Sequence, residues 1–298
     1  MGADRPDDPD VPPDRRDDQD ARGDQASGAS DAQAETRTRH QYYTDLRVTV
    51  SRQESAVARQ ATAEEQAASE KWQEKATESR WLWTEYQRKW PPDERPPNRN
   101  RPLDPADNAQ VDAECDRIAN REKERISPAL RAIETQDPDR HLIGFDHRLK
   151  SPDRIKEKVY NKMEEFSFSA EEAVSAVSDA IRYTFQYRES RYTQGVWTDL
   201  ERLKEKGFEL HTVKNSWSAD QYKGTNTQWI EPNTGQRFEV QFHTHISFEA
   251  KQLTHDSYER LRTKQADKFE QMVLEAFQSK VTGEVPIPPG AADIPDYP

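Results

Sequence analysis

A carboxylate and an amide stand two residues apart at Glu239 and Gln241, with His243 two further on, in the run R-F-E-V-Q-F-H-T-H. Phe238, Val240 and Phe242 alternate with them, so the three polar side chains share one face of a half-buried strand. After Thr244 the period becomes helical. Ile246, Ala250, Leu253, Ser257 and Leu261 recur about one turn apart, with Lys251, His255 and Arg262 among them. A strand that presents a carboxylate beside an amide, followed by a basic, histidine-bearing helix, suits the handling of phosphate. It also suits an edge strand whose polar face is simply solvated.

A second group of chemistry-bearing residues lies upstream in R-L-K-S-P-D-R-I-K-E-K. Ser151 is a good N-cap, and Pro152 fits the first helical position. Arg148, Lys150, Arg154 and Lys158 then gather near a helix N-terminus, where free N–H groups and the helix dipole favour an anion. The two readings are a triphosphate cradle and a solvated basic face. In S-D-A-I-R-Y-T-F-Q-Y, Ile181, Tyr183 and Phe185 alternate with Arg182, Thr184 and Gln186 as in a strand. Asp179 stands at its mouth, either as a turn residue or as a metal ligand. Tyr222 occupies a polar loop beside Gly224, where a nucleotide could approach the backbone closely, and is expected to be exposed.

The elements that must position these groups follow in order. Asp107 to Glu134 is helix-compatible, and Ser169 to Val177 is a short acidic helix. Thr193 to Lys206 is an amphipathic helix ended by Gly207, and Phe208 to Lys214 is a strand. Thr225 to Ile230 is a further strand, joined by a turn at Pro232 to Gly235 to the strand that carries Glu239. Lys268 to Thr282 is one more helix. This order predicts an α+β or α/β domain with a mixed sheet of about four or five strands flanked by helices.

Composition limits what surrounds that domain. Of 298 residues, 32% are hydrophobic and 34% charged, with a net charge of -12, too polar for one globule of this length. Residues 1–45 read as a disordered acidic tail. Residues 46–90 read as a helical arm bearing Trp72, Trp81, Leu82, Trp83 and Tyr86, a stripe for docking onto a partner or onto the chain's own domain. Residues 91–103 read as a stiff Pro-rich linker, 104–282 as the domain that carries the chemistry, and 283–298 as a Pro-rich tail. Everything before the linker is expected to be separable, so that a chain lacking residues 1–101 stays folded. The single cysteine, Cys115, excludes an intramolecular disulfide, and no zinc-ligand spacing is present. No apolar run is long enough to span a membrane, and the acidic N-terminus is unlike a secretory signal, so a cytoplasmic location is expected. Net acidity argues against general coating of nucleic acid.

In order and spacing, R-L-K-S-P-D-R-I-K-E-K, D-A-I-R, Y-K-G-T-N and E-V-Q-F-H-T resemble the synthetase domain of the RelA/SpoT family, the alarmone (ppGpp) synthetases. The resemblance spans about residues 126–262. It implies a nucleotidyltransferase-like fold and transfer of the β,γ-pyrophosphate of ATP to the ribose 3′-hydroxyl of an acceptor nucleotide, assisted by Mg²⁺. By resemblance, Arg148, Lys150, Ser151, Arg154 and Lys158 hold ATP. Asp179 and Glu239 serve Mg²⁺, and Glu239 with Gln241 forms the catalytic pair, Glu239 placed to take the hydroxyl proton. Tyr222 stacks on the acceptor base, while Lys214, Asn226, Gln241 and His243 line its phosphates and sugar.

Three positions depart from the family pattern. The aspartate usually lies five residues before the strand arginine, where this chain has Val177, whereas Asp179 lies three before Arg182. A local bulge that re-aims Asp179 and an altered metal site are the two ways to accommodate this. Gln221 replaces the glycine before the stacking tyrosine, and His243 the arginine after E-x-Q. The acceptor is accordingly left open among GDP or GTP, an adenosine nucleotide and the 3′ end of tRNA. The hydrolase half of the long family members is missing, since His255 and Asp256 form only a lone helix-surface pair. That points to a small stand-alone or toxin-like synthetase restrained by a neutralising antitoxin. The alternative class is a noncatalytic nucleotide-binding or interaction protein, a phage or toxin-delivery component.

Overall fold

A computed structural model describes residues 63–89, 103–262 and 266–297. The acidic tail at 1–45, the start of the arm at 46–62 and nearly all of the linker at 91–103 lie outside the described residues. The chain order is α1 (Ala63–Lys89), α2 (Pro105–Arg121), a π-helical turn (Glu122–Ile126), α3 (Ser127–Glu134), β1 (Arg140–Ile143), α4 (Pro152–Phe166), α5 (Ala170–Ser175), β2 (Arg182–Tyr187), α6 (Tyr192–Glu205), β3 (Glu209–Asn215), β4 (Thr225–Glu231), β5 (Gln236–Thr244), α7 (His245–Arg262) and α8 (Lys268–Gly283). The fold is α+β: a mixed five-stranded sheet among the described residues, in the order β1-β2-β5-β4-β3, flanked by helices.

Only β2 and β5 run parallel; β1 with β2, β5 with β4 and β4 with β3 are antiparallel. The register makes the two sheet faces unlike. Tyr183 and Phe185 of β2 lie level with Val240 and Phe242 of β5, and all four are buried in the main core. Arg182, Thr184 and Gln186 lie level with Glu239, Gln241 and His243, so the polar alternation of the two strands coincides on the opposite face. β1 is an addition to the expected strands, because four residues are too few to display a period. The expected helix from Asp107 to Glu134 is interrupted by the π-helical turn.

The arm joins the core instead of standing apart from it. Trp72 and Ala76 are buried in the cluster that contains the sheet's apolar face, and the Trp72 indole donates to the carbonyl of Val281 at 3.2 Å. Trp83 stacks on Phe277 (5.2 Å between ring centres), and the Tyr86 hydroxyl donates to the buried Glu270 carboxylate at 2.7 Å. Trp81 alone of the stripe faces outward, 64% exposed. The expectation that everything before the linker is separable is therefore corrected, because α1 supplies side chains that cover α8. The C-terminal Pro-rich segment is likewise packed. Val285, Ala291 and Ile294 are buried, and Tyr297 exchanges backbone hydrogen bonds with Val213 at the free edge of β3.

Candidate active site

The polar face of β2 and β5 opens onto a cavity of about 230 Å³ lined by Lys158, Lys162, Asp179, Arg182, Gln228 and Glu239. A larger cavity, about 520 Å³, lies on the far side of Val177 among Arg117, Arg121 and Arg237. The smaller one holds Asp179 and Glu239 and is the candidate site.

Asp179 is its charge centre. Lys158 donates to both carboxylate oxygens at 2.7 Å, Arg182 Nη2 to Oδ2 at 2.9 Å, and the Lys150 ammonium lies 3.4 Å away. Burial alone would raise this carboxyl, but Lys150, Lys158 and Arg182 outweigh it and hold the group well below the usual carboxylate range. Of the two accommodations of its shifted spacing, the strand bulge is not what is found. Asp179 lies in the turn at 178–180 that precedes β2, outside the ladder, and that turn swings its carboxylate back onto Arg182. Val177, at the usual family position, is buried in the core.

Glu239 is held from two sides. Arg182 Nε donates to its Oε2, and the Gln241 amide donates to its Oε1 at 3.0 Å. Arg182 thus bridges the two carboxylates assigned to Mg²⁺. Beyond Gln241, the Lys251 ammonium of α7 donates to the Gln241 amide oxygen. Burial and the neighbouring Arg182 push Lys251 down to about 7, with Glu239 opposing.

The residues that the resemblance assigns to an acceptor form a second group. The Tyr222 hydroxyl donates to Asn226 Oδ1 at 2.8 Å and lies 2.8 Å from His243 Nε2, and His243 Nδ1 lies 2.9 Å from the Ser247 hydroxyl. Burial, and then the Lys251 charge, keep His243 neutral. Tyr222 is half-buried and meets the His243 ring edge-on at 5.4 Å. The expected free exposure of Tyr222 is corrected: its hydroxyl ties it to the sheet. Gly224 is required here, since φ is 152° and a Cβ would lie 2.8 Å from the His243 ring. Thr244 and Ser247 cap α7 reciprocally, each hydroxyl accepting from the other's backbone N–H, which fixes the strand-to-helix bend beside His243. Lys214 is exposed on β3, in register with Asn226.

The expected basic gathering is brought together only in part. Lys150 and Lys158 converge on Asp179. Ser151 caps α4, accepting from the Arg154 backbone N–H at 3.4 Å, and the Arg154 side chain pairs with Glu157 at 3.1 Å. Arg148 turns away to the buried Glu122, donating through Nε at 2.6 Å, with its guanidinium 4.3 Å from the Phe145 ring centre. Glu122 sits in the π-helical turn and also accepts from the Tyr183 hydroxyl at 2.5 Å. Arg182, Lys251, Ser247 and Glu122 all serve this region without a role assigned from sequence. Arg182 stands in the quoted D-A-I-R, and Lys251 follows Gln241 by ten residues on the helix that continues its strand.

The donor set bears on a metal. Mg²⁺ commonly takes one or two carboxylates and completes its octahedron with water and substrate phosphate. Asp179 and Glu239, linked through Arg182 and lining one cavity, fit that habit. Among the described residues no group of three or more Asp, Glu, His or Cys side chains could hold a metal by itself.

The chain matches no protein-family profile and no curated protein. Among solved structures it is similar to the small alarmone synthetase 1 from Bacillus subtilis bound to its product pppGpp, at 12% identity over 59% of this chain and 93% of that one, TM-score 0.43. A GTP pyrophosphokinase family protein from Streptococcus pneumoniae matches at 11% identity over 61% and 90%, TM-score 0.40. The complex of the Type VI effector Tas1 with its immunity protein matches at 16% identity over 60% and 92%, TM-score 0.31. Among the described residues no helix is long and apolar enough to cross a membrane.

Proposed function

We propose that the chain is an ATP-dependent pyrophosphokinase that moves the β,γ-pyrophosphate of ATP to the 3′-hydroxyl of an acceptor nucleotide. The observation that carries this reading is the arrangement of Asp179 and Glu239 around Arg182, with Lys150 and Lys158 on the same carboxylate. Phosphoryl and pyrophosphoryl transfers ask the protein for little covalent chemistry. They need cations on the polyphosphate, oxygen ligands for a hard metal and an acceptor hydroxyl held in line. The motifs quoted from the sequence, in register over about residues 126–262, support the same reaction.

In this reading Lys150, Lys158 and Arg182 exchange their carboxylate partners, Asp179 and Glu239, for the ATP phosphates. Asp179 and Glu239 would hold Mg²⁺, which when bound would neutralise charge on the polyphosphate. Glu239, fixed by Gln241, accepts the proton of the acceptor hydroxyl. Tyr222 offers its ring to the acceptor base, with Asn226, His243 and Lys214 around it. Arg148, tied to Glu122 and stacked on Phe145, acts at the edge of the ATP half. Cytoplasmic residence and restraint by an antitoxin belong to this proposal.

The test is incubation of the full chain with γ-labelled ATP, Mg²⁺ and a panel of GDP, GTP, ADP, ATP and tRNA, read by thin-layer chromatography. A labelled product with one acceptor supports the reading and names the acceptor. Failure with every acceptor, from protein that still binds nucleotide, overturns it in favour of a noncatalytic nucleotide-binding protein. Three cations already bound to Asp179 favour that second reading.

A further inference from the structure

Gln241 is 4% exposed, so both ends of its amide need partners within the protein. Its NH₂ group faces Glu239 Oε1 at 3.0 Å, and its oxygen faces the Lys251 ammonium. An ionised carboxylate only accepts hydrogen bonds, and an ammonium only donates them. While Lys251 is protonated, the two neighbours permit one orientation of the amide. A flipped amide would set its oxygen against the Glu239 carboxylate and its NH₂ group against Lys251. Lys251 is itself steered: its Nζ lies 5.2 Å from the centre of the Phe248 ring, and Phe248 packs edge-on to His243 with ring centres 5.7 Å apart.

We propose that Lys251 is a positioning residue of the transfer site, holding the Gln241 amide so that it can donate to Glu239. The proposal rests on the pyrophosphokinase reading for its kinetic consequence, but not for the contact itself. Glu239 is then gripped by Arg182 on one oxygen and by the Lys251–Gln241 pair on the other. When Arg182 turns to phosphate, the second grip is the one that remains. Lys251 thereby keeps the carboxylate aimed while its partner arginine changes sides, and it acts through Gln241 instead of touching the transferred group.

Lys251→Met keeps most of the side-chain length and removes the donor; Lys251→Arg restores a donor. One measurement is the side-chain ¹⁵N–¹H pair of Gln241 in the full chain, identified by its loss in Gln241→Glu. The pair should shift and broaden in Lys251→Met and remain resolved in Lys251→Arg. The second measurement is steady-state transfer. kcat should fall on the order of tenfold to a hundredfold in Lys251→Met, as expected when a reacting group is misplaced by about an ångström, with KM for ATP within about twofold and substantial recovery in Lys251→Arg. A Gln241 pair unmoved by Lys251→Met, or an unchanged kcat in an active enzyme, overturns the proposal. If the wild type turns over no nucleotide while the Gln241 pair responds to Lys251→Met, the pyrophosphokinase reading falls and the positioning contact stands.

Discussion

Arg182 and Glu239 stand level with each other across the parallel pairing of β2 and β5, and the guanidinium of one is bound to the carboxylate of the other. Because Arg182 also reaches Asp179 at 2.9 Å, one side chain joins the two acids assigned to the metal. In the proposed reading a bound phosphate would compete for the Arg182 guanidinium, and Asp179 and Glu239 are the residues that would hold Mg²⁺.

Glu239→Gln preserves shape and removes the charge at the proposed metal and base position. Arg182 keeps its bond to Asp179, so folding should survive, with a melting temperature close to that of the wild type. Transfer should fall by about a hundredfold or more, since metal binding and proton removal are both impaired. Labelled-product chromatography beside a thermal melt checks both halves, and near-normal turnover would remove Glu239 from its role.

The acceptor role proposed for Tyr222 rests on two separable features, a ring and a hydroxyl bound to Asn226 and His243. Base stacking is worth about 1–3 kcal/mol, so Tyr222→Ala should weaken acceptor binding by roughly tenfold to a hundredfold. Tyr222→Phe keeps the ring and should retain most of that affinity, while losing about 1 kcal/mol of stability with the hydroxyl's bonds. Affinity for ATP should change little in either. Separate calorimetric titrations of ATP and acceptor decide it; parallel loss of both ligands would mean that Tyr222 supports the fold alone.

The polar face of the site was legible because period-two alternation survives in sequence: Glu239, Gln241 and His243 on one strand, Arg182 and Thr184 on the other. Their register was not, since parallel strands pair across more than fifty residues without a local signal. For the same reason Arg182 could be quoted in a motif without being seen to join Asp179 to Glu239. Arg148 stands among other cations in sequence, whereas its partner in the structure, Glu122, lies 26 residues away in a π-helical turn that no periodicity marks. The tryptophans of the arm mark it in sequence as a docking stripe, for a partner or for the chain's own domain, but not as part of the core. Which of them point inward depends on α8: Trp72 is buried and Trp81 exposed, a difference that their shared stripe in sequence does not carry.

The docking of α1 has its own consequence. Trp72 is 5% exposed and hydrogen-bonded to Val281, so Trp72→Ala should cost about 3–5 kcal/mol. Removal of residues 1–101 should also uncover Phe277 and leave Glu270 with Arg260 as its charged partner but without the Tyr86 hydroxyl. The truncated chain should melt below the full chain and aggregate more readily. Equal stability of the two, by urea titration, would restore the arm to a separable appendage.

Lys251 gives a prediction in pH. Burial, with Arg182 adding to it, lowers this lysine from an ordinary value of 10.5 to about 7, so the folded protein binds that proton more weakly than the unfolded chain. Between those two values the unfolded state holds more protons, and stability must rise with pH; below about 7 the full penalty of a buried ammonium is present. Lys251→Met abolishes the penalty. The variant should therefore be more stable than the wild type near pH 6.5, with the difference shrinking steadily toward pH 10. His243 and His255, which also face Lys251, are both held below their ordinary value, and Tyr222 well above its own, so none of them titrates strongly within this window. Unfolding free energies from urea titrations of both proteins at four pH values would show it. A difference independent of pH would mean that the ammonium is well solvated. A difference that shrinks as described, together with a loss of kcat in the same variant, would identify Lys251 as a residue kept at the expense of stability because the site requires it.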